Sequence, residues 1–330
     1  MKIAIVGAGI VGSTAAYYLS KEKDVEVTVF DHGLGQATKA AAGIISPWFS
    51  KRRNKAWYRM ARLGADFYQD LVSDLENDGY DTSFYDQSGV ALLKKDDSKL
   101  DGLYQHAETR LEESPIIGEL SIKNASDLPE FTGFDRYIYA SGGARVEGAE
   151  LTATLIAASG FEKVEGLVTL SPLDNGTYEI NGQTFDKVIL ACGAWLGQTL
   201  EPLGFEVDVR PQKGQLRDYF FEGVDTGRLP VLMPEGELDV IPFAGGKISV
   251  GASHENDQGF DLTVDETVLA SLEEEAKTYF PDLSTAKSFS ERVGTRAYTS
   301  DFSPFFGEVP ELESVFVASG LGSSGLTTGP

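Results

Sequence analysis

Two glycine triplets frame this chain. Gly7, Gly9 and Gly12 spell G-x-G-x-x-G directly after the apolar run Ile3-Ala4-Ile5-Val6, and Gly320, Gly322 and Gly325 spell it again inside the closing segment SGLGSSGLTTGP, residues 319–330. Placed after a strand, such a triplet cradles a pyrophosphate. The first glycine permits the tight turn, the second lets the backbone approach the anion, and the third lets the following helix pack closely. The N–H groups at the helix start then supply partial positive charge. That local field matters in a chain of formal net charge −23, where no long-range attraction helps an anion. Val25, Val27 and Val29 lead to Phe30-Asp31, and this acid stands 19 residues after Gly12, where a dinucleotide ribose hydroxyl would be bound. A carboxylate there would repel a 2′-phosphate, which leaves FAD or NAD. The second triplet lacks a following helix in the sequence as given, since Pro330 is its last residue.

These residues need elements to position them. Ile3–Val6 reads as a strand buried on both faces, STAAYYLSK as a helix with small residues against a sheet, and the valine run as a second parallel strand. From about Asn54 to Glu76, Trp57, Ala61, Gly64, Phe67, Tyr68, Leu71 and Leu75 fall at helical steps. Further along, the pattern predicts a strand over 89–93, a surface helix over 99–113 and a helix over 147–159. Asn175-Gly176 and Asn181-Gly182 predict hairpins. KVILACGAW, 187–195, is a buried strand entering a glycine loop. From about Val207 the texture becomes alternating strands (QLRDYF, LDVIPF, KISVGAS) with one helix near 264–280, and Val315–Ala318 is again fully apolar. The expected fold is α/β: a Rossmann-type nucleotide domain, glutathione-reductase-like, assembled from 1–80, 140–204 and 306–330. A β-rich α+β substrate domain would come from 81–139 and 205–305.

Composition bounds the function. With 42% hydrophobic and 24% charged residues in 330, the chain has the profile of a globular protein. No run of about 18 apolar residues suggests a membrane span. MKIAIVGAGIVG is not built like a secretory signal, and the single Cys192 fits a reducing, cytoplasmic setting. The acidity argues against nucleic acid or an anionic membrane as partner. His32, His106 and His254 form no Ser-His-Asp or metal set, so no metal is expected and each is read as structural. One basic cluster, Lys51-Arg52-Arg53 with Lys55, Arg59 and Arg62, is either a solvated helix face with its entry loop or a patch attracting an anionic ligand.

GQATKAAAGIISPW (35–48), ACGAWLG (191–197), RPQKGQL (210–216), VGTRAYTSDFSPFFGEVP (293–310) and SGLGSSGLTTGP together resemble the FAD-dependent D-amino-acid oxidase and glycine oxidase family, in the family's order and across essentially the whole chain. The resemblance selects FAD. It implies that Gly7, Ala8, Gly9, Ile10, Val11 and Gly12 meet the pyrophosphate, with Asp31 and the adjoining His32 at the adenosine ribose. Thr38, Ala41, Ala42, Gly43 and Ile44 would line the pyrophosphate and flavin. The backbone of Val168 would meet adenine, and Cys192, Gly193 and Trp195 would lie beside the cofactor. Gly322, Ser323, Ser324, Gly325, Leu326 and Thr327 would sit at the isoalloxazine, where backbone N–H groups stabilise charge on the reduced ring. In the family a helix follows this loop, so the chain is expected to stop short of it. Ala40 stands where some relatives carry a flavin-linking His, which implies a noncovalent cofactor.

Arg296 matches the family arginine that pairs with a substrate carboxylate. Asp239 stands where a Tyr or His contact is common, and either meets a substrate ammonium or is solvated. The expected reaction is oxidation of the CH–NH bond of a small amino acid (a D-amino acid, glycine or an N-methyl amino acid), giving an imino acid that hydrolyses to keto acid and ammonia. Oxygen or a quinone would reoxidise the flavin, and a homo-oligomer is an open possibility. The competing readings are a 2-hydroxy-acid oxidoreductase on the same scaffold and a non-catalytic flavin-binding or partner subunit.

Overall fold

A computed structural model describes residues 1–330, the side chain of Asp97 excepted. Its first layer is a six-stranded sheet. In spatial order its strands are Phe305–Glu308, Val315–Ser319, Lys187–Leu190, Lys2–Val6, Glu26–Asp31 and Glu162–Glu165. All neighbours run parallel except the first pair. The central strand carries Ile3, Ala4, Ile5 and Val6, all buried, because helices and loops cover both faces. The helix Ile10–Leu19 forms the crossover from this strand to Glu26–Asp31 and packs on the helix Gly148–Ser159. The third glycine explains how closely it can lie: a Cβ on Gly12 would fall 1.8 Å from the Gly7 carbonyl oxygen.

The second layer is an eight-stranded sheet. Its order is Ser288–Tyr298, Arg210–Phe220, Lys247–Gly251, Asp239–Phe243, Val231–Met233, Val90–Leu92, Arg136–Ala140 and Leu120–Asn124. Neighbours are antiparallel except Val231–Met233 with Val90–Leu92. The two longest strands, Arg210–Phe220 and Ser288–Tyr298, pair along their whole length and place Arg296 opposite Gln212. The helix Glu266–Tyr279 buries Leu269, Leu272 and Ala276 and contacts strands of this sheet. Two small sheets complete the fold, one from the hairpins at 170–185 and one joining Ile44–Ile45, Ala144–Val146 and Tyr85–Asp86.

The helix expected over 99–113 spans Asp97–Glu108 and is not a purely surface element: Leu100, Leu103 and Ala107 are buried in the main core. The long amphipathic segment is the helix Lys55–Asn77. Asn54 caps it by accepting the Trp57 N–H at 3.0 Å, and Trp57, Ala61, Gly64, Tyr68, Leu71 and Leu75 face inward. No helix among the described residues is long and apolar enough to cross a membrane.

Candidate active site

Between the two layers runs one cavity of about 1080 Å³. At one end lie Gly166–Thr169, Cys192, Gly193 and Trp195. The cavity passes the first glycine turn and Thr38–Ile44, meets the terminal loop, and ends among Asp239, His254 and Arg296.

The glycine turn is shaped by contact. Gly7 has φ +103°, and a Cβ there would lie 2.3 Å from the Ala191 carbonyl oxygen. Gly9, Ile10 and Val11 line the cavity. Ala8 and Gly12 are not part of its wall. Ala8 is buried and spends its N–H on Asp31, while Gly12 faces the strand at a distance only glycine allows. Asp31 is held by three donors: the N–H groups of Ala8 and Gly33 and the amide of Gln36. The acceptor oxygen of that same amide, Gln36 Oε1, is buried on the cavity wall and has no donor among the described residues. His32 also lines the wall, edge-on to Trp195 at 4.8 Å between ring centroids.

The loop carrying Thr38, Ala41, Ala42, Gly43 and Ile44 is fixed from two sides. Thr38 Oγ1 accepts the N–H of Ile10 at 3.0 Å, tying the loop to the helix start. From the second sheet, Arg292 donates to the carbonyls of Ala41 at 3.0 Å and Lys39 at 3.4 Å. Arg292 also meets the buried carboxylate of Asp218 at 2.9 Å and Ser249 Oγ at 3.0 Å. Arg292→Met would leave Asp218 buried without its cation. We expect it to cost about 3–5 kcal/mol of stability and to loosen the loop, both readable by urea denaturation and by FAD retention; unchanged unfolding midpoints would refute the assignment.

Cys192 lies on the cavity wall. Burial pushes its thiol up to about 12, so at neutral pH it is a neutral thiol and not a nucleophile. The terminal loop, Gly322–Thr327, is held against the long helix. Trp57 Nε1 donates to Ser324 Oγ at 3.2 Å, Tyr68 Oη to the Leu326 carbonyl at 2.6 Å, and a Cβ on Gly64 would strike the Thr327 carbonyl. The loop's second half is a single helical turn, Gly325–Thr328.

At the far end Arg296 projects from its long strand across Gly214. A Cβ on that glycine would lie 2.6 Å from Arg296 Nη1, so Gly214 makes room for the guanidinium. Nη1 donates to Gln212 Oε1 at 3.1 Å and to the Ser253 carbonyl at 2.7 Å. Nη2 has no acceptor, and Arg296 makes no ion pair, among the described residues. Burial pulls its pKa below the usual arginine range without removing the charge. Asp239, also on the wall, has neither hydrogen bond nor ion pair there, and burial pushes its carboxyl up to about 8. His254, read from the sequence as structural, is brought to the same wall, 3.6 Å from Glu237. Burial and the nearby Arg296 push its pKa down. The hydroxyl of Thr295 is buried beside them without a partner. Gln36, Gly214 and Thr295 lie within the segments that carry the family resemblance without being singled out in them, and His254 carries no spacing signal; register and chain reversal bring them here.

A fold with a parallel sheet, a glycine turn and an elongated cavity opening on an arginine defines a nucleotide-dependent redox enzyme. The model of the DAO family, FAD dependent oxidoreductase, matches residues 2–330, and the chain belongs to this family. It is 39% identical to an uncharacterized oxidoreductase, YurR, of Bacillus subtilis, over 99% of this chain and 91% of the relative. A glycine oxidase of Pseudomonas aeruginosa is 29% identical, over 100% of this chain and 92% of its own. Among solved structures, the iminodiacetate oxidase of Chelativorans sp. BNC1 superposes with a TM-score of 0.94 at 31% identity, covering 99% of this chain and 92% of that one. The cofactor is FAD. The wall suits it: glycines where a Cβ would collide, a helix start whose N-cap, Gly9, offers no side-chain acceptor and whose first turn has no acid, and a buried Gln36 acceptor ready for a donor.

Proposed function

We propose that this enzyme oxidises the CH–NH bond of a small amino acid, and that Arg296 and Asp239 hold the two ends of its zwitterion. The observation that carries this reading is the pairing, on one cavity wall, of an arginine with unspent donors and a carboxyl with no partner. Bound FAD supplies the two-electron acceptor for the hydride that leaves the substrate α-carbon. Arg296 Nη2 and Nη1 offer a planar fork to the substrate carboxylate, which fixes the α-carbon in orientation. Asp239, as the carboxylate, accepts an N–H of the substrate ammonium and takes the proton that must leave before the nitrogen lone pair can assist. The imino acid then adds water and releases ammonia. A hydroxy acid would have no ammonium to satisfy Asp239, which is why the amine is the preferred donor.

The test is a spectrum of the FAD-loaded protein during anaerobic addition of amino acids and their hydroxy analogues. Bleaching by an amine and not by its hydroxy acid supports the reading; bleaching by hydroxy acids alone overturns it.

The raised carboxyl predicts a pH dependence. Asp239 moves from an ordinary 3.8 to about 8 on folding. The folded state therefore holds a proton that the unfolded state has lost across this interval. Stability from this group is fully present below about 4 and is lost as pH rises through about 8. In the cofactor-free protein, Asp239→Asn should remove that decline, so that melting temperatures of variant and parent diverge between pH 5 and 8.5. In turnover, kcat/KM should rise with pH as the carboxylate forms, and this limb should disappear in Asp239→Asn. Parallel melting curves would show that Asp239 does not titrate in this window.

A further inference from the structure

The basic cluster at 51–62 is not all solvated helix face. Lys51 and Arg52 line the cavity, as do Lys94 and Lys99 from across it. Of these, Lys94 is matched by Glu235 at 3.6 Å. Arg52 is different. Its guanidinium lies over the Trp57 ring, 4.5 Å from the centroid, and it forms no ion pair among the described residues. Lys51, on the same wall, is likewise without an ion pair among the described residues, and what sets Arg52 apart is the indole beneath it. Stacking holds the guanidinium plane while leaving its N–H fork unspent. The ring beneath it is itself fixed, because Trp57 Nε1 donates to Ser324 of the terminal loop. Arg52 is thus a pre-oriented cation on the same cavity as Arg296, tied through one indole to the loop at the reaction centre.

We propose that Arg52 binds a second anionic group of the substrate, so that the site takes amino acids bearing two carboxylates, with the amine between them or beside them. The inference rests on the amine-oxidation reading for the reacting bond, but not for the binding of the two anions. One carboxylate goes to Arg296, and the other to the fork presented over Trp57. The amine between them faces Asp239. A monocarboxylate would leave Arg52 unused.

Two matched pairs test this on the FAD-loaded chain. Glutarate and butyrate are the carbon analogues of iminodiacetate and N-methylglycine, and neither can be oxidised at a CH–NH bond. Calorimetric titration should show glutarate binding at least tenfold more tightly than butyrate. Arg52→Gln should erase that preference and Arg52→Lys should keep part of it; Arg52 is exposed, so neither change threatens the fold. In turnover, Arg52→Gln should raise KM for iminodiacetate at least tenfold and leave N-methylglycine within about twofold. Equal binding of the two acids by the parent overturns the proposal, as does a preference that survives Arg52→Gln. Equal loss on both substrates also overturns it, and would assign Arg52 to the cofactor. If the glutarate preference and its loss are seen but no amine is oxidised, the second anion site stands and the amine-oxidation reading fails.

Discussion

Arg296→Ala is expected to lower kcat/KM by a factor on the order of 10²–10³ while leaving FAD content unchanged. The guanidinium at the cavity end hydrogen-bonds only to neutral partners, Gln212 Oε1 and the Ser253 carbonyl; Glu237 and Glu255 lie near enough to favour its charge but form no ion pair with it among the described residues. A substrate carboxylate entering there exchanges water for a charge-assisted fork. Truncating one side leaves that carboxylate in a poorly hydrated cavity, at a cost of roughly 2–5 kcal/mol. Arg296→Lys should recover part of the loss, because an ammonium restores charge but not the planar pair of bonds. Among the described residues Arg296 makes no hydrogen bond to those expected to hold the nucleotide, so flavin absorbance per protein should match the parent. Steady-state kinetics on any substrate that bleaches the flavin decides it: activity within threefold of the parent would remove Arg296 from the site.

Gly7→Val should abolish FAD retention. Two independent costs fall on this position. Its φ of +103° is closed to a branched residue, about 1–3 kcal/mol of backbone strain. Its Cβ would also sit 2.3 Å from the Ala191 carbonyl, about 1–3 kcal/mol of overpacking that moves the strand-end loop at Cys192 and Gly193. Against a typical domain stability of about 5–15 kcal/mol this is a large fraction. Gly33→Ala is the control, since Gly33 has φ +80° with nothing within 4 Å of an added Cβ. It pays for backbone strain alone. Gel filtration followed by a flavin spectrum separates the two; yellow Gly7→Val protein at parental stoichiometry would contradict the close-packed turn.

The readable parts of this protein were those in which local chemistry and global fold ask for the same residue. Ile3–Val6 and the glycine turn declare a strand and a crossover, because a buried parallel strand is apolar at every step and the first position of the turn, at φ +103°, favours glycine. The long helix was visible because Trp57, Ala61, Tyr68, Leu71 and Leu75 bury one stripe. The strand Ser288–Tyr298 was not. Its first half, SFSE, is largely exposed, and its second half turns Arg296 into a cavity rather than a core, so neither pattern of burial marks it. His254 was equally silent. A lone polar residue has no period, and its place depends on which strand end meets which loop. Arg52 stood in plain view as one base among several, and only the indole beneath it separates it from its neighbours.

The order of strands in the first sheet has a consequence for how the protein is made. Lys187–Leu190 pairs with Lys2–Val6 on one side and with Val315–Ser319 on the other. A growing polypeptide can assemble the first of these pairs once residue 190 has left the ribosome, but the opposite edge then waits for more than a hundred further residues. During that wait an apolar edge with free backbone groups faces solvent or a chaperone. The loop that follows the late strand is also a wall of the FAD cavity. The pocket is therefore complete only after Val315–Ser319 docks, and FAD arriving earlier would meet a half-built wall. Slow, late-closing assembly is the expected behaviour of such long-range pairing, and FAD can stabilise the fold only once the last strand has docked.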